Sequence, residues 1–225
     1  MSILRIDDRC LSELAKHILR AGQTTRHRHL VGIAGIPGSG KSTLARRLVC
    51  QLNARRSGIA CLVSMDGFHL SNRELDAQDL RHRKGAVETF KANEYVDLLC
   101  RVRWCTEDSV PYPIYDRQIH EPVMASPDEH VIGPSVEIVV TEGNYLLLDA
   151  PPWLDLGDVL DECWWLDTPM AVARRWLLDR HTQGGRDGQD AIRHYESVDR
   201  INSELVLKRR RLPDRCLRWP AESFS

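Results

Sequence analysis

The chain has 225 residues, of which 42% are hydrophobic, enough to bury one full core. Its 31 Lys and Arg against 32 Asp and Glu leave a formal charge of −1, which excludes a global electrostatic attraction to nucleic acid or an anionic membrane, so any anion recognition has to be local. No apolar stretch reaches the roughly 20 residues of a bilayer-spanning helix, and Arg5, Asp7 and Asp8 do not suit a signal peptide, so one cytoplasmic domain over residues 1–225 is expected.

Leu11, Leu14, Ala15, Ile18 and Leu19 recur at helical spacing over residues 8–22, with Gly22 as the terminator. Arg26 to His29 reads as a polar linker, and Leu30 to Ala34 as a buried strand. Leu44, Ala45, Leu48, Val49 and Leu52 then place one face of a helix inward. Ile59 to Ser64, Val136 to Thr141 and Cys163 to Leu166 are further short strands. Thr168 and Pro169 open a helix that runs to about His181, with Thr168 as its cap. After Gly184, Gly185 and Gly188 a charged helix spans Ala191 to Arg211. This alternation predicts an α/β fold with a parallel sheet covered on both faces. The cysteines at 10, 50, 61, 100, 105, 163 and 216 form no CxxC pair and read as buried free thiols.

Gly35-Ile36-Pro37-Gly38-Ser39-Gly40-Lys41-Ser42 satisfies GxxxxGK[ST] between a strand and a helix. Its glycines allow successive N–H groups, through Thr43, to converge on a phosphate at a positive helix terminus. Lys41 is placed to reach the β- and γ-phosphates, and Ser42 to ligate Mg²⁺. Glu142, emerging at the carboxyl end of a strand, is a second metal ligand or else a partner of a nearby Lys or Arg.

Asp66, after the second strand, reads as a general base for an acceptor hydroxyl or as a turn residue before Gly67. His69 is catalytic or structural on this reading. The run Arg81, His82, Arg83, Lys84 is a solvated face or, in part, a substrate contact. Residues 174–187 join a helix to a glycine hinge, a pattern suited to a lid. Arg175, Arg180 and Arg186 are its candidates for the transferring phosphoryl group and the nucleotide.

Taken in order, the P-loop at 35–42, Asp66-Gly67-Phe68, Asn72, Arg83-Lys84-Gly85 with Glu88 and Phe90, Tyr115-Asp116, Glu142-Gly143 and the segment 174–187 resemble the phosphoribulokinase and uridine kinase family of P-loop kinases, including its bacterial pantothenate kinase branch. The stretches MDGFHLSN, RKGAVETF, YDRQIHEPV and EGNYLLLDAPPW look most like the branch often labelled nucleoside or fructose-transport-system kinases. The resemblance implies a three-layer P-loop NTPase sandwich with a mostly parallel sheet and a helical lid at about 174–190. It implies ATP as donor, Mg²⁺ held by Ser42 and Glu142, and Asp66 as base. An acceptor-binding insertion would span about 66–130, with Tyr115, Asp116 and Arg117 facing the acceptor; His69, Arg83, Lys84 and Asn144 are further candidates for binding it. Arg117 follows Tyr115-Asp116 where uridine and pantothenate kinases carry other residues. The expected partner is a small hydroxyl-bearing metabolite, neither nucleic acid nor membrane, with a homodimer allowed. The alternatives are an NTP hydrolase, disfavoured by the lack of NKxD and of DxxG after a strand, and a nucleotide-sensing protein without an acceptor.

Overall fold

Leu30, Val31, Ile33 and Ala34 are all fully buried, so the strand that carries them must have apolar cover on both faces. The computed structural model describes residues 2–124, 129–184 and 187–220. The strands are β1 (Ile3–Arg5), β2 (His29–Ala34), β3 (Ala60–Ser64), β4 (Val110–Pro111), β5 (Ile114–Asp116), β6 (Glu121–Val123), β7 (Val131–Ile132), β8 (Ile138–Gly143), β9 (Glu162–Leu166) and β10 (Arg215–Arg218). The helices are α1 (Asp8–Gly22), α2 (Lys41–Arg55), α3 (Asn72–Ala77), α4 (Ala92–Trp104), α5 (Leu156–Val159), α6 (Met170–Gln183), α7 (Gly188–His194) and α8 (Arg200–Arg209).

Six strands pair in the order β1-β10-β9-β2-β8-β3, every pair parallel. One face packs Val31, Ile33, Val140 and Trp164 against Leu11, Leu14 and Ile18 of α1 and Leu44, Leu48 and Leu52 of α2. The other packs Leu30, Ala34, Val63, Val139 and Trp165 against Tyr95, Val96 and Leu99 of α4 and Val206 of α8. The alternation of Leu30 and Val31 between these cores is the period of two of a strand, and each buried aliphatic side chain contributes about 1.5–3 kcal/mol. The fold is thus the expected three-layer α/β sandwich, with a wholly parallel main sheet. From β2 the chain moves to one side through β3 and β8, then to the other through β9 and β10. The carboxyl end of β2 is therefore the switch point where open α/β sheets bind ligands.

Several local expectations change. Thr168 does not cap α6; Pro169 holds that position, and the Thr168 hydroxyl donates to Ser39 O at 2.9 Å. The charged helix is three pieces: α7, a π-helical turn at Tyr195–Asp199, and α8. The π turn turns Tyr195, Val198 and Asp199 inward together. Arg28 is buried, not part of a solvated linker: its guanidinium donates to Val102 O (3.0 Å), Val136 O (2.9 Å), Gly133 O (3.1 Å) and Cys105 O, tying the end of α4 to the entry of β8. All seven cysteines are free, but only Cys163 is buried and Cys50 is exposed. Short antiparallel pairs β4–β7 and β5–β6 form between α4 and β8. Among the described residues no helix is long and apolar enough to cross a membrane.

Candidate functional site

The turn after β2 differs from the capped helix starts in its backbone: like α4, α6 and α8 the helix it opens has no side-chain cap, but here the capping residue is a left-handed glycine. The N-terminus of α1 is closed by Asp7, whose side chain accepts from Cys10 N, and that of α3 by a capping box between Ser71 and Glu74. At α2 the capping position is Gly40, with φ of 90° and no side-chain cap. Its first-turn N–H groups therefore have no side-chain acceptor, the condition for anion binding at a helix N-terminus. The loop is held from behind: the Thr168 hydroxyl and Trp219 Nε1 (3.2 Å) both donate to Ser39 O. Ser39 Oγ is buried without a hydrogen-bond partner.

Lys41 is buried, and its ammonium donates to Ile36 O (3.0 Å) and Asn144 Oδ1 (2.8 Å), all neutral partners. Burial pulls it down to about 8, against the pull of Glu142 and Asp66. Glu142, also buried, accepts from Ser42 Oγ at 3.0 Å and Ser64 Oγ at 2.7 Å. Burial first, then the charge of Asp66, pushes its carboxyl above the usual range. It pairs with hydroxyls rather than with a Lys or Arg. Hydroxyl and carboxylate oxygens at the mouth of a phosphate loop are the ligands a hard divalent cation takes, so Ser42 and Glu142 fit Mg²⁺. A cavity of about 510 Å³ opens beside the loop, walled by Trp176 and Trp219 with Arg46 and Thr43.

A second cavity, of about 230 Å³, runs from Lys41 and Glu142 to Asp66, His69, Lys84 and Tyr115. Asp66 lies in the 3-10 turn after β3, at residues 65–68, whose first free N–H is capped by Ser64 Oγ at 3.2 Å. Its carboxylate accepts from Arg117 at 3.1 Å. Burial would raise it, but His69, Arg117, Arg180 and Lys41 outweigh burial and hold it below the ordinary carboxylate value. His69 donates from Nδ1 to Asp66 O at 2.8 Å, and burial lowers its pKa. Its ring lies between Phe90 (4.1 Å between centroids) and Tyr115 (4.8 Å). Arg117 and Arg180 line both cavities, at the junction between them.

Of the residues singled out in the sequence, Pro37, Gly38, Lys41, Ser42, Asp66, His69, Lys84, Tyr115, Arg117, Glu142, Asn144 and Arg180 converge on the second cavity. Gly40 and Thr43 line the first. Gly35 lines neither: a Cβ there would sit 2.7 Å from Ser39 Oγ, so it serves the tightness of the turn. Asn144 meets Lys41 as well as the cavity. Arg83 is taken up by Glu88, and Arg175 is exposed and lines neither cavity. Arg186 lies outside the described residues. Sequence reasoning missed Ser64, Arg46, Trp176 and Trp219. Ser64 ends a strand beside Glu142 in register, a pairing visible only once β3 and β8 are adjacent.

Residues 7–67 match the profile of the family described as methylmalonyl Co-A mutase-associated GTPase MeaB, a stretch centred on the phosphate loop and shorter than half the chain. Over 220 residues the chain is 36% identical to "Putative uridine kinase C227.14" of Schizosaccharomyces pombe, covering 94% of this chain and 92% of that protein. Over 195 residues it is 37% identical to YggC of Escherichia coli K12, covering 85% and 78%. The crystal structure of the "putative fructose transport system kinase" from Silicibacter sp. TM1040 superposes with a TM-score of 0.82 at 35% identity, over 93% of this chain and 98% of that one. With a shared fold, an open phosphate loop and near full-length similarity, the chain belongs to the uridine kinase-related family of P-loop kinases and is a small-molecule kinase.

Proposed function

We propose that the protein transfers the γ-phosphoryl group of ATP to a hydroxyl of a small metabolite. The observation that carries this reading is one continuous cavity in which the phosphate-loop lysine, the Glu142 carboxylate and the ionised Asp66 face each other. A hydrolase or a sensor needs no second carboxylate set back from the phosphate loop at the end of an enclosed space.

Trp176 and Trp219 supply apolar walls for a planar base, and the α2 N–H groups with Lys41 grip the polyphosphate. Bound magnesium would neutralise charge on the donor phosphates, held by Ser42 and Glu142. Asp66 orients the acceptor hydroxyl and takes its proton on a carboxylate oxygen as the new P–O bond forms. Arg117 leaves Asp66 for the phosphates, and Arg180, at the same junction, meets the charge on the transferring group. Residues 66–130 act as the acceptor-binding insertion and 174–190 as the lid, which excludes water that would otherwise take the phosphoryl group.

Asp66→Asn is the test. Acceptor-dependent ADP release should fall about 10²–10⁴-fold while ATP affinity, read by calorimetry, stays within about twofold. Full transfer activity in that variant would remove Asp66 from the chemistry.

A further inference from the structure

Of the Lys and Arg side chains that line the second cavity, Lys41 belongs to the phosphate loop and Arg117 and Arg180 to the junction with the first cavity, which leaves Lys84 beside His69 and Tyr115; the cations just outside this wall, and Arg117 on it, hold carboxylates. Arg81 pairs with Asp76 (2.6 Å), Arg83 with Glu88, Lys91 with Glu74 (2.8 Å) and Arg117 with Asp66 (3.1 Å). Lys84 differs. Its ammonium donates to Asn72 Oδ1 at 2.7 Å and to His120 O at 2.5 Å, both neutral, and lies 5.4 Å from the centre of the Tyr115 ring. The Glu121 carboxylate, which attracts it at longer range, is engaged by the Asn72 N–H (2.9 and 3.0 Å). An ammonium has three donors, and two are used here.

The backbone beneath Lys84 is fixed more firmly than a solvated loop requires. Gly85 has φ of 102°, a conformation glycine adopts freely. Its carbonyl accepts from two distant side chains, Tyr145 Oη at 2.9 Å and Asn202 Nδ2 at 2.8 Å. Its N–H donates to Thr89 Oγ1 at 3.0 Å. A half-buried cation with neutral partners, held rigidly on an aromatic ring inside a cavity, is an arrangement completed by an anion.

We propose that the acceptor is itself an anion: a small alcohol bearing a carboxylate or a phosphate ester, whose charged group is bound by Lys84 beside Tyr115 while its hydroxyl faces Asp66. This rests on the phosphotransfer reading above. The acceptor loses a proton from its hydroxyl to Asp66 and gains the phosphoryl group from ATP, releasing ADP; its anionic group takes no part in bond making.

The experiment measures ADP release by the full chain with ATP and Mg²⁺ over matched alcohols: glycerate against glycerol, pantothenate against pantothenol, and ribose 5-phosphate against ribose, with uridine as a further neutral probe. The expected result is at least a tenfold higher kcat/KM for the anionic member of the pair that is used. The carboxylate and phosphate arms separate the two sources of charge. For that acceptor, Lys84→Met should raise KM, and the dissociation constant by calorimetry, at least tenfold, with kcat within about threefold and ATP affinity unchanged. Lys84→Arg should recover most of the loss, which a variant that simply misfolds would not show. A neutral alcohol used as well as its anionic partner, or an anionic acceptor indifferent to Lys84→Met, overturns the anionic acceptor and leaves phosphotransfer standing. ADP release that no acceptor accelerates overturns both.

Discussion

The two edges of the six-stranded sheet treat buried charge in opposite ways. At the amino edge the charges are matched. Asp161 takes both arms of the Arg103 guanidinium at 2.9 Å, and Arg103 also donates to Val159 O at 2.8 Å. Glu162 meets His17 at 2.7 Å and Arg215 at 3.3 Å, and Asp214 accepts from Cys163 N at 2.7 Å. At the carboxyl edge Lys41 has only neutral hydrogen-bond partners, Glu142 only hydroxyl ones, and Asp66, which repels Glu142, is met by an Arg117 that itself lines the open cavity. Both edges contain acids and bases under little solvent. What separates them is whether the protein itself completes the charges. Where it does, the groups hold strands and loops together; where it leaves them facing an open volume, they are available to a ligand.

The largest effect that sharpens this contrast belongs to the carboxyl edge. Lys41→Ala should lower kcat/KM about 10³-fold, close to 4 kcal/mol of transition-state stabilisation, while the denaturant midpoint of the free protein changes little, because the lysine lost was poorly solvated. A large loss of stability would place Lys41 with the structural charges.

At the amino edge the order reverses. Arg103→Met leaves the nearly buried Asp161 carboxylate without its bidentate partner and should destabilise the fold by about 3 kcal/mol, with ATP affinity in the folded protein unchanged. Urea unfolding and calorimetry on the same sample check the two halves of that statement, and a shift in ATP affinity would break the separation of the edges.

The pH dependence of stability follows from Glu162. Burial opposes its ionisation, but contacts with His29, Trp164 and His17 outweigh burial and hold it at about 2, below the ordinary 4.5. A depressed carboxyl contributes stability that is fully present above about 4.5 and lost as pH falls through 2. Glu162→Gln should therefore lose on the order of 2–3 kcal/mol near pH 6 and show a flatter acid limb than the unaltered protein. Parallel acid limbs would show that Glu162 is not among the groups that titrate on unfolding.

The smallest effect joins the second cavity to its support. Tyr145→Phe removes one of two donors to Gly85 O and should lower stability by about 1 kcal/mol. It should raise acceptor KM several-fold and leave ATP affinity alone. An equal change in both substrates would mean that the two ends of the cavity are not separately supported.

The phosphate loop was legible because its parts are contiguous. A strand, a glycine turn and the first turn of a helix create the anion site from neighbouring backbone groups, and Lys41 and Ser42 are carried by the same turn. The buried strands and the α1 and α2 faces were legible for a similar reason, since periodicity is local. Glu142 and Asp66 could be assigned to one sheet edge from strand ends alone.

What contiguity cannot reveal is which of several similar side chains reaches the same space. Arg83 and Lys84 are neighbours in sequence, yet one is spent on Glu88 and the other stands in the cavity, because Gly85 is gripped by Tyr145 and Asn202 from elements 60 and 117 residues away. Arg175 and Arg180 lie on one helix, and only Arg180 lines the cavities. The sequence by itself determined the α/β class, the phosphate loop and the strand-end carboxylates, since each follows from residues a few positions apart. Tertiary structure alone decided where Lys84, Arg180, Ser64 and the two tryptophans stand, since that depends on long-range packing that brings separate segments to one wall.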